Sequence, residues 1–259
     1  MPLKDWDIQI NYGIKTGCNE AFIISTAKRD EILSNCQSKE ERQRTADLIR
    51  PLLRGKDIKR YGYDWAGLWL IATFPTRHYD IEQYPAVKQH LLSFGMERLE
   101  QTGKSYVIND KVIKARKKTT NKWFETQDNI AYWEDFDKPK IIFQEIVQES
   151  NFFFDSNGEF LCNDTARIIT GKKLNYLLLI LNSSLFFYAV KHFYGGGGLG
   201  EDGVRMKHTF FQYFPALSYD EALDLLVGSN DIDRIDRAIF ESYQLTDDEI
   251  RAVLKDESE

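Results

Sequence analysis

Lysine and arginine side chains are concentrated in two short stretches of the sequence, where their type and spacing suit contacts to phosphate groups. The stretch KVIKARKKTTNKWF, residues 111–124, holds six basic side chains and no acidic one. Residues 50–60 hold five more around the single acid Asp57, namely Arg50, Arg54, Lys56, Lys59 and Arg60. Cations that neutralise phosphates release counterions, and this effect supplies much of the affinity for nucleic acid. Each stretch is a candidate phosphate-binding surface, with a solvated loop as the alternative on charge alone.

Planar side chains that can read base edges accompany the first of these stretches. Arg116 and Asn121 present such groups, and Trp123 at its end can pack or stack. On the predicted strand IIFQEIVQ, Gln144 and Gln148 share one face at four-residue spacing, which suits bidentate contacts to adenine. Ordinary edge-strand glutamines explain that spacing equally well.

A metal-dependent nuclease would need two carboxylates and a lysine around a metal ion at the ends of adjacent strands. Asp47 with the triplet Asp57, Ile58 and Lys59 has the required spacing, and this is the single (D/E)xK triplet in the chain. Asp47, however, lies inside a predicted helix, and Asp57 suits pairing with a nearby arginine or capping of a turn. The nuclease is therefore a minor alternative.

Other catalytic signatures are missing from the sequence. The tetrapeptide N-P-P-[YFW] of aminomethyltransferases does not occur. The four histidines are His78, His90, His192 and His208. None of them lies in a nucleophile elbow or triad motif.

A glycine pattern of the dinucleotide-binding type, G-x-G-x-x-G, occurs at Gly195, Gly197 and Gly200. It follows a predicted helix, whereas dinucleotide binding requires a preceding strand. We interpret the pattern as a loop, either a plain connection or a place where the backbone approaches a partner. Three side chains just downstream suit phosphate or base contacts: Arg205, Lys207 and His208.

The overall charge at first argues against nucleic acid, because the 259 residues carry a net charge of −6. That charge is unevenly distributed. Residues 218–259 hold 13 acidic and four basic side chains, a net charge of −9, whereas residues 1–217 hold 30 basic and 27 acidic ones, a net charge of +3. We expect a DNA-facing body, residues 1–217, and an acidic helical appendage, residues 218–259.

The apolar and cysteine content narrows the class of protein. A hydrophobic fraction of 42% excludes a disordered chain. Cys18, Cys36 and Cys162 have no metal-ligand spacing, so neither a disulfide framework nor a zinc site is expected. The start of the sequence has no signal-peptide pattern, and the apolar run 176–190 is short and interrupted, as in a buried core helix. A cytoplasmic protein without a membrane partner is expected.

Local patterns predict an α+β fold that is β-rich in its middle. Residues 10–25 read as strand, turn, strand, and Leu68–Thr73 reads as a buried strand. Ser38 with Glu41 predicts a capping box that opens a helix, whose apolar side includes Leu52 and Leu53 before Pro51 disrupts it.

From Pro139 the pattern is typical of a β-meander, and after Gly171 it becomes helical with a break near Asn182. In the acidic tail, two capping boxes predict helices, Ser218 with Glu221 and Thr246 with Glu249. Pro85 suits the first turn of a further helix.

Several blocks of the sequence together resemble one family. They are GIKTGCNEAFII (13–24), LLRGKDIKRY (52–61), ARKKTTNKWFETQDNIAYWEDFDKPKIIFQEI (115–146) and YLLLILNSSLFFYAVKHFY (176–194). The blocks resemble the TaqI-like C-terminal specificity domain, the target recognition domain of type IIG restriction-modification enzymes and adenine-specific DNA methyltransferases. The ending IDRAIFESYQLTDDEIRAVL (235–254) is similar to the short helical element that closes many of these chains.

The resemblance implies sequence-specific recognition of double-stranded DNA without chemistry of its own. In such enzymes, S-adenosylmethionine and magnesium belong to methyltransferase and nuclease domains, which this chain lacks and which would lie in the same or a partner polypeptide. No cofactor or metal is expected in this chain, and a prokaryotic cytoplasm is implied. The main alternative is a protein-interaction module that uses the acidic helical tail.

Carried onto this sequence, the resemblance implies DNA contacts from four segments, with lysines mainly on phosphates. The candidates are Lys15, Thr16, Asn19, Arg54, Lys56, Arg60, Arg116, Lys117, Lys118, Asn121, Lys122, Trp123, Gln144, Arg205, Lys207 and His208.

Overall fold

Two four-stranded sheets organise the chain in a computed structural model that describes residues 1–194 and 203–257. The first sheet is antiparallel throughout, with the order β1, β13, β9, β11. Its strands are β1 (Ile8–Tyr12), β9 (Lys140–Gln144), β11 (Phe152–Asp155) and β13 (Ala166–Gly171). The second has the order β12, β3, β6, β2, and β12 runs parallel to β3. Its strands are β2 (Ile23–Ser25), β3 (Ile49–Leu53), β6 (Leu68–Ile71) and β12 (Leu161–Cys162).

Three short antiparallel pairs complete the described strands. They are β4 (Ile58–Lys59) with β5 (Gly62–Tyr63), β7 (Ser105–Ile108) with β8 (Lys111–Lys114), and β10 (Ile146–Val147) with β14 (Val204–Arg205). The predicted β-meander after Pro139 is confirmed where β9 and β11 pair and wrong beyond that, because β10 pairs with β14 and β12 joins the second sheet. Apolar patterning places residues in strands but does not choose their partners.

Helices cover both sheets. They are α1 (Asn19–Phe22), α2 (Thr26–Ser34), α3 (Lys39–Leu48), α4 (Pro85–Leu92), α5 (Met96–Leu99), α6 (Leu174–Leu181), α7 (Ser184–Ala189), α8 (His208–Phe211), α9 (Glu221–Asp224), α10 (Ile232–Ser242) and α11 (Asp247–Glu257). A π-helical turn, Val190–Tyr194, continues α7. The strand, turn, strand prediction for residues 10–25 is wrong in part, since α1 separates β1 from β2 and the two strands lie in different sheets.

The capping box at Ser38 is confirmed on one side, because its hydroxyl accepts from the Glu41 N–H at 3.0 Å. The helix that it opens is shorter than predicted. It ends at Leu48, and the apolar residues that follow form β3, so Leu52 and Leu53 are strand residues. Pro51 sits opposite Trp69 in that strand, and its fixed φ suits extended backbone.

Alternation along β9 divides the interior into two cores. Ile142 faces the core of the second sheet and helices α1 to α4, whereas Ile141 and Phe143 face a core built with α6, α7 and α10. The predicted break near Asn182 is confirmed, and the Asn182 amide binds the Phe152 backbone through both its oxygen and its nitrogen.

Within the described residues, no single helix is long and apolar enough to cross a membrane. The pair Leu174–Leu181 and Ser184–Tyr194, bent by 64°, passes that test by length and composition only.

The acidic tail packs into the second core. Ile235 and Ile239 of α10 are fully buried there. The buried Asp236 carboxylate accepts from the Ser184 N–H at 2.9 Å and from its hydroxyl at 2.5 Å. The capping box predicted at Ser218 is wrong, because Asp220 is the N-cap of α9. That at Thr246 with Glu249 is confirmed.

We predict that Asp236→Ala lowers the free energy of unfolding by about 2–3 kcal/mol, because it removes a buried carboxylate that accepts two hydrogen bonds from Ser184. Urea denaturation measures the change. The exposed Glu241→Ala on the same helix removes the same charge and is expected to cost less than about 0.5 kcal/mol. Equal effects of the two variants would contradict a structural role for Asp236.

Candidate nucleic-acid interface

A turn of three residues between β12 and β13, here named the 163–165 turn, joins segments that are far apart in sequence. The Thr165 hydroxyl donates to the Asn163 side-chain oxygen at 2.6 Å and accepts from the Gly55 N–H at 2.8 Å. The Thr165 carbonyl accepts from the Glu145 N–H at 3.2 Å. The turn thus fixes the basic residues 50–60, here named the second basic cluster, against the end of β9.

The loop after β1 is tied to the same place. Gly13 donates to the Ala166 carbonyl at 3.0 Å, and Ile14 donates to the Cys162 carbonyl at 2.8 Å. The approach is so close that a Cβ on Gly13 would lie 1.9 Å from the Asn163 carbonyl oxygen. A Cβ on Gly55 would lie 2.6 Å from the Thr165 carbonyl oxygen. Glycine is required at both positions for steric reasons.

The first basic stretch is attached to this assembly through Lys15. The Lys15 carbonyl accepts from the Gln127 N–H at 3.0 Å. The Arg116 guanidinium reaches the carbonyl of Thr16. The loop that carries Lys117 and Lys118, here named the basic loop, therefore lies beside the loop that carries Lys15.

The segment after the glycines reaches the assembly from the other side. Met206 donates to the Glu145 carbonyl at 2.7 Å, and β14 pairs with β10. The His208 ring packs edge-on against Tyr12, with 5.7 Å between ring centroids. The G-x-G-x-x-G pattern itself falls within residues 195–202, outside the described part of the chain.

Four segments predicted to contact DNA thus meet around one turn. The exposed candidates are Lys15, Asn19, Lys56, Lys117, Lys118 and Lys122. The half-buried candidates at this place are Gln144, Arg205, Lys207 and His208. We name the exposed side chains of these joined loops the rim; the loops lie next to the end of β9 and the start of β13, where Gln144 pairs with Ala166.

Arg116 has a structural role instead of the predicted role in base reading. Its side chain is buried, and its guanidinium donates to four backbone carbonyls at 2.5–2.9 Å. They belong to Thr16, Leu99, Trp123 and Glu125. Desolvation lowers the pKa of Arg116 to about 10, so it stays charged at neutral pH. In this structure Arg116 clamps the basic loop onto the body, and hydrogen bonds to carbonyls occupy its guanidinium.

Three further candidates are engaged within the protein. Thr16 is buried, and its hydroxyl donates to Asn19 at 2.6 Å. The Asn121 amide donates to the carbonyls of Thr126 and Gln127, so its donors are not available to adenine. Trp123 is half-buried and packs against the first core, which leaves packing as its role.

Two arginines of the second cluster point elsewhere. Arg54 binds the buried Asp57 with Nε at 2.9 Å and Nη2 at 2.7 Å. Arg60 donates to the Ser150 carbonyl beside β11, on the far edge of β9 from the 163–165 turn.

The nuclease alternative is not supported by the geometry. Asp57 is held by Arg54, Asp47 accepts from Gln43 at 3.0 Å, and Lys59 lies 4.0 Å from Asp64. Among residues 1–194 and 203–257, no group of three His, Cys, Asp or Glu side chains is placed to hold a metal ion. Cys18, Cys36 and Cys162 are unpaired.

The sequence analysis missed several residues of this surface. Arg98 and Asp164 line a cleft of about 250 Å³ together with Lys15 and Asn19. Partial desolvation, reinforced by Asp128 and Glu145, raises the pKa of Asp164. No local pattern marks these residues, because only the folded chain brings them next to the basic loops.

The sequence analysis also missed Arg167, whose buried side chain lies among polar and aromatic side chains beside the rim. Its guanidinium lies 4.0 Å from the Tyr12 ring centroid and 3.0 Å from the Glu145 carboxylate. Burial, together with the charge of Arg167, lowers the pKa of His208. His208 is therefore neutral at pH 7 and suits a hydrogen bond better than an ionic contact.

We predict that Arg116→Ala lowers the free energy of unfolding by about 3 kcal/mol or more, because several buried carbonyls lose their donor. The neighbouring, exposed Lys117→Ala is the matched control, with an expected change below about 0.5 kcal/mol. Chemical denaturation compares them. An Arg116→Ala protein as stable as its parent would overturn the clamp.

A second prediction concerns protonation. In an NMR titration, His208 is expected to titrate below its ordinary value of 6.5, because burial and Arg167 disfavour the cation. Glu145→Gln removes the charge that opposes this effect and lowers the midpoint further. Since the folded state then binds fewer protons than the unfolded state, this histidine's contribution to stability falls as pH drops below 6.5. A midpoint at or above 6.5 would contradict the burial.

The fold is similar to part of the type IIL restriction-modification enzyme MmeI, whose structure was determined in complex with DNA. The TM-score is 0.59 at 13% identity, over 95% of this chain and 34% of that one. The type IIG restriction endonuclease BpuSI matches with a TM-score of 0.46 at 14% identity, over 92% of this chain and 26% of that one. The chain spans about a third of MmeI and a quarter of BpuSI. No curated protein matches the sequence.

The sequence itself matches the TaqI-like C-terminal specificity domain over residues 50–197, more than half of the chain. The chain belongs to this family, as the resemblance of its sequence blocks predicted. The matched region contains the second cluster, the basic loop and the 163–165 turn.

Proposed function

We propose that this chain binds double-stranded DNA at a specific sequence and positions a separate adenine-N6 methyltransferase and nuclease on it. One observation carries the proposal: basic and polar side chains from four distant segments meet around the 163–165 turn. Membership of a specificity-domain family and the similarity to MmeI, determined in complex with DNA, support it. S-adenosylmethionine and magnesium would serve the separate catalytic domains.

The exposed lysines of the rim would neutralise phosphates, because long flexible ammonium side chains suit contacts that carry no base information. They are Lys15, Lys56, Lys117, Lys118 and Lys122. Each neutralised phosphate contributes about −0.9 to the slope of log affinity against log salt, so five predict a slope of about −4.5.

Base reading would fall to the half-buried polar groups behind the lysines. Gln144 at the end of β9 packs against Gly55, and its amide suits a bidentate contact to adenine. Arg205 pairs with Ile146, two residues beyond Gln144, and the neutral His208 packs against Tyr12. These side chains are held by strands and by the 163–165 turn, which limits the entropy that they lose on binding.

The salt dependence of DNA binding tests the proposal. We predict that Lys117→Ala with Lys118→Ala reduces the magnitude of the salt slope by about 2, measured by mobility shift on a duplex pool at several salt concentrations. Lys138→Ala with Lys172→Ala is the control, because both lysines are exposed at the opposite end of the first sheet. The control pair is expected to leave the slope unchanged.

Selection of bound sequences from a random duplex library then identifies the site. Enrichment of one sequence supports specific recognition. Failure to bind any duplex at low salt, in the presence of a methyltransferase partner domain, would refute the proposal.

A further inference from the structure

A two-stranded hairpin formed by β7 and β8 projects beside the proposed interface. Asn109 and Asp110 at its tip have positive φ angles of 49° and 61°, as in a type I′ turn. That turn matches the twist of the strands, so the hairpin is a preformed ribbon.

The two faces of the ribbon differ. On one face, Tyr106 and Ile113 are half-buried, and the Tyr106 hydroxyl donates to the Glu100 carboxylate at 2.8 Å. On the other face, Val107 and Val112 pair directly across the strands, where they are 75% and 72% exposed. Paired residues point to the same side, so the valines form one apolar patch with no partner among the described residues.

Basic residues flank the patch in sequence. Residues 104–122 hold seven basic side chains and one acidic one, Asp110. On the ribbon itself, Lys114 pairs with Ser105 and so shares the valine face, whereas Lys111 pairs with Ile108 on the other face. An apolar face that carries a lysine complements a surface with apolar groups between phosphates, which is the make-up of a DNA groove.

The ribbon is anchored to the interface by Arg98. Its guanidinium donates to the Lys114 carbonyl at 3.1 Å and lies 3.6 Å from the Glu20 carboxylate. Arg98 also lines the cleft of Lys15 and Asp164. The ribbon therefore continues the proposed DNA-binding surface.

We propose that the β7–β8 ribbon enters the major groove and that Val107 and Val112 contact thymine methyl groups. This inference rests on the proposed DNA binding. The major groove is about 12 Å wide and admits a two-stranded ribbon. Strands of four residues extend about 14 Å, which exceeds the groove depth of about 8.5 Å. The valines thus add an apolar specificity element that the basic loops cannot supply.

The test compares a selected thymine-containing duplex with the same duplex carrying uracil, which lacks only the methyl groups. We expect the parent protein to bind the thymine duplex more tightly, by about fourfold for each methyl contacted. The double variant Val107→Ser with Val112→Ser is expected to bind both duplexes equally. Val107→Thr with Val112→Thr keeps a methyl at each position and is expected to retain part of the preference.

Controls separate the possible outcomes. Leu225→Ser alters another exposed apolar side chain, 81% exposed on the acidic tail, and is expected to leave the thymine preference intact. Circular dichroism verifies that the serine variant is folded. If the parent binds DNA without a thymine preference, or if the serine variant retains that preference, the ribbon does not recognise thymine. The proposed DNA binding would still stand. If the parent binds no duplex, the proposed function itself fails.

Discussion

The hydrogen bonds of Thr165 are the constraint on which the candidate interface depends. Its hydroxyl receives the Gly55 N–H and its carbonyl receives the Glu145 N–H, so one residue holds the second basic cluster and the end of β9. Gly13 fits against the same turn, where any Cβ would collide with the Asn163 carbonyl oxygen. Because the Thr165 partners are the backbone N–H groups of Gly55 and Glu145, side chains of those two segments can vary without altering these contacts. A specificity domain needs this separation of frame from reading groups.

Buried charges stabilise that frame. Arg116 is satisfied by carbonyl oxygens, which compensate part of the cost of removing a cation from water. Lys140 is fully buried and lies 2.6 Å from Asp155, which ties β9 to β11. The Asp236 carboxylate accepts hydrogen bonds from Ser184 and so attaches the acidic tail to α7. The negative charge of the tail is thus fixed on the second core, while the 163–165 turn connects the basic segments at the end of the first sheet.

Features that depend on near neighbours in sequence were predictable. The cap at Ser38, the helix break at Asn182 and the box at Thr246 each involve a few residues whose chemistry favours one local geometry. The start of a helix at Pro85 follows from its fixed φ. Predictions failed where distant partners decide. Leu52 and Leu53 entered a strand because β6 and β12 were available on either side of β3.

The sequence by itself determined the family, the α+β class and which segments carry positive charge, because these are properties of residue type and order. Only the tertiary structure decided which of those residues face outward. Lys117 and Lys118 are exposed, whereas the adjacent Arg116 is buried, and no pattern in the stretch separates them. The difference arises from the carbonyls of Thr16 and Leu99, which lie far away in the chain and meet the guanidinium only after folding.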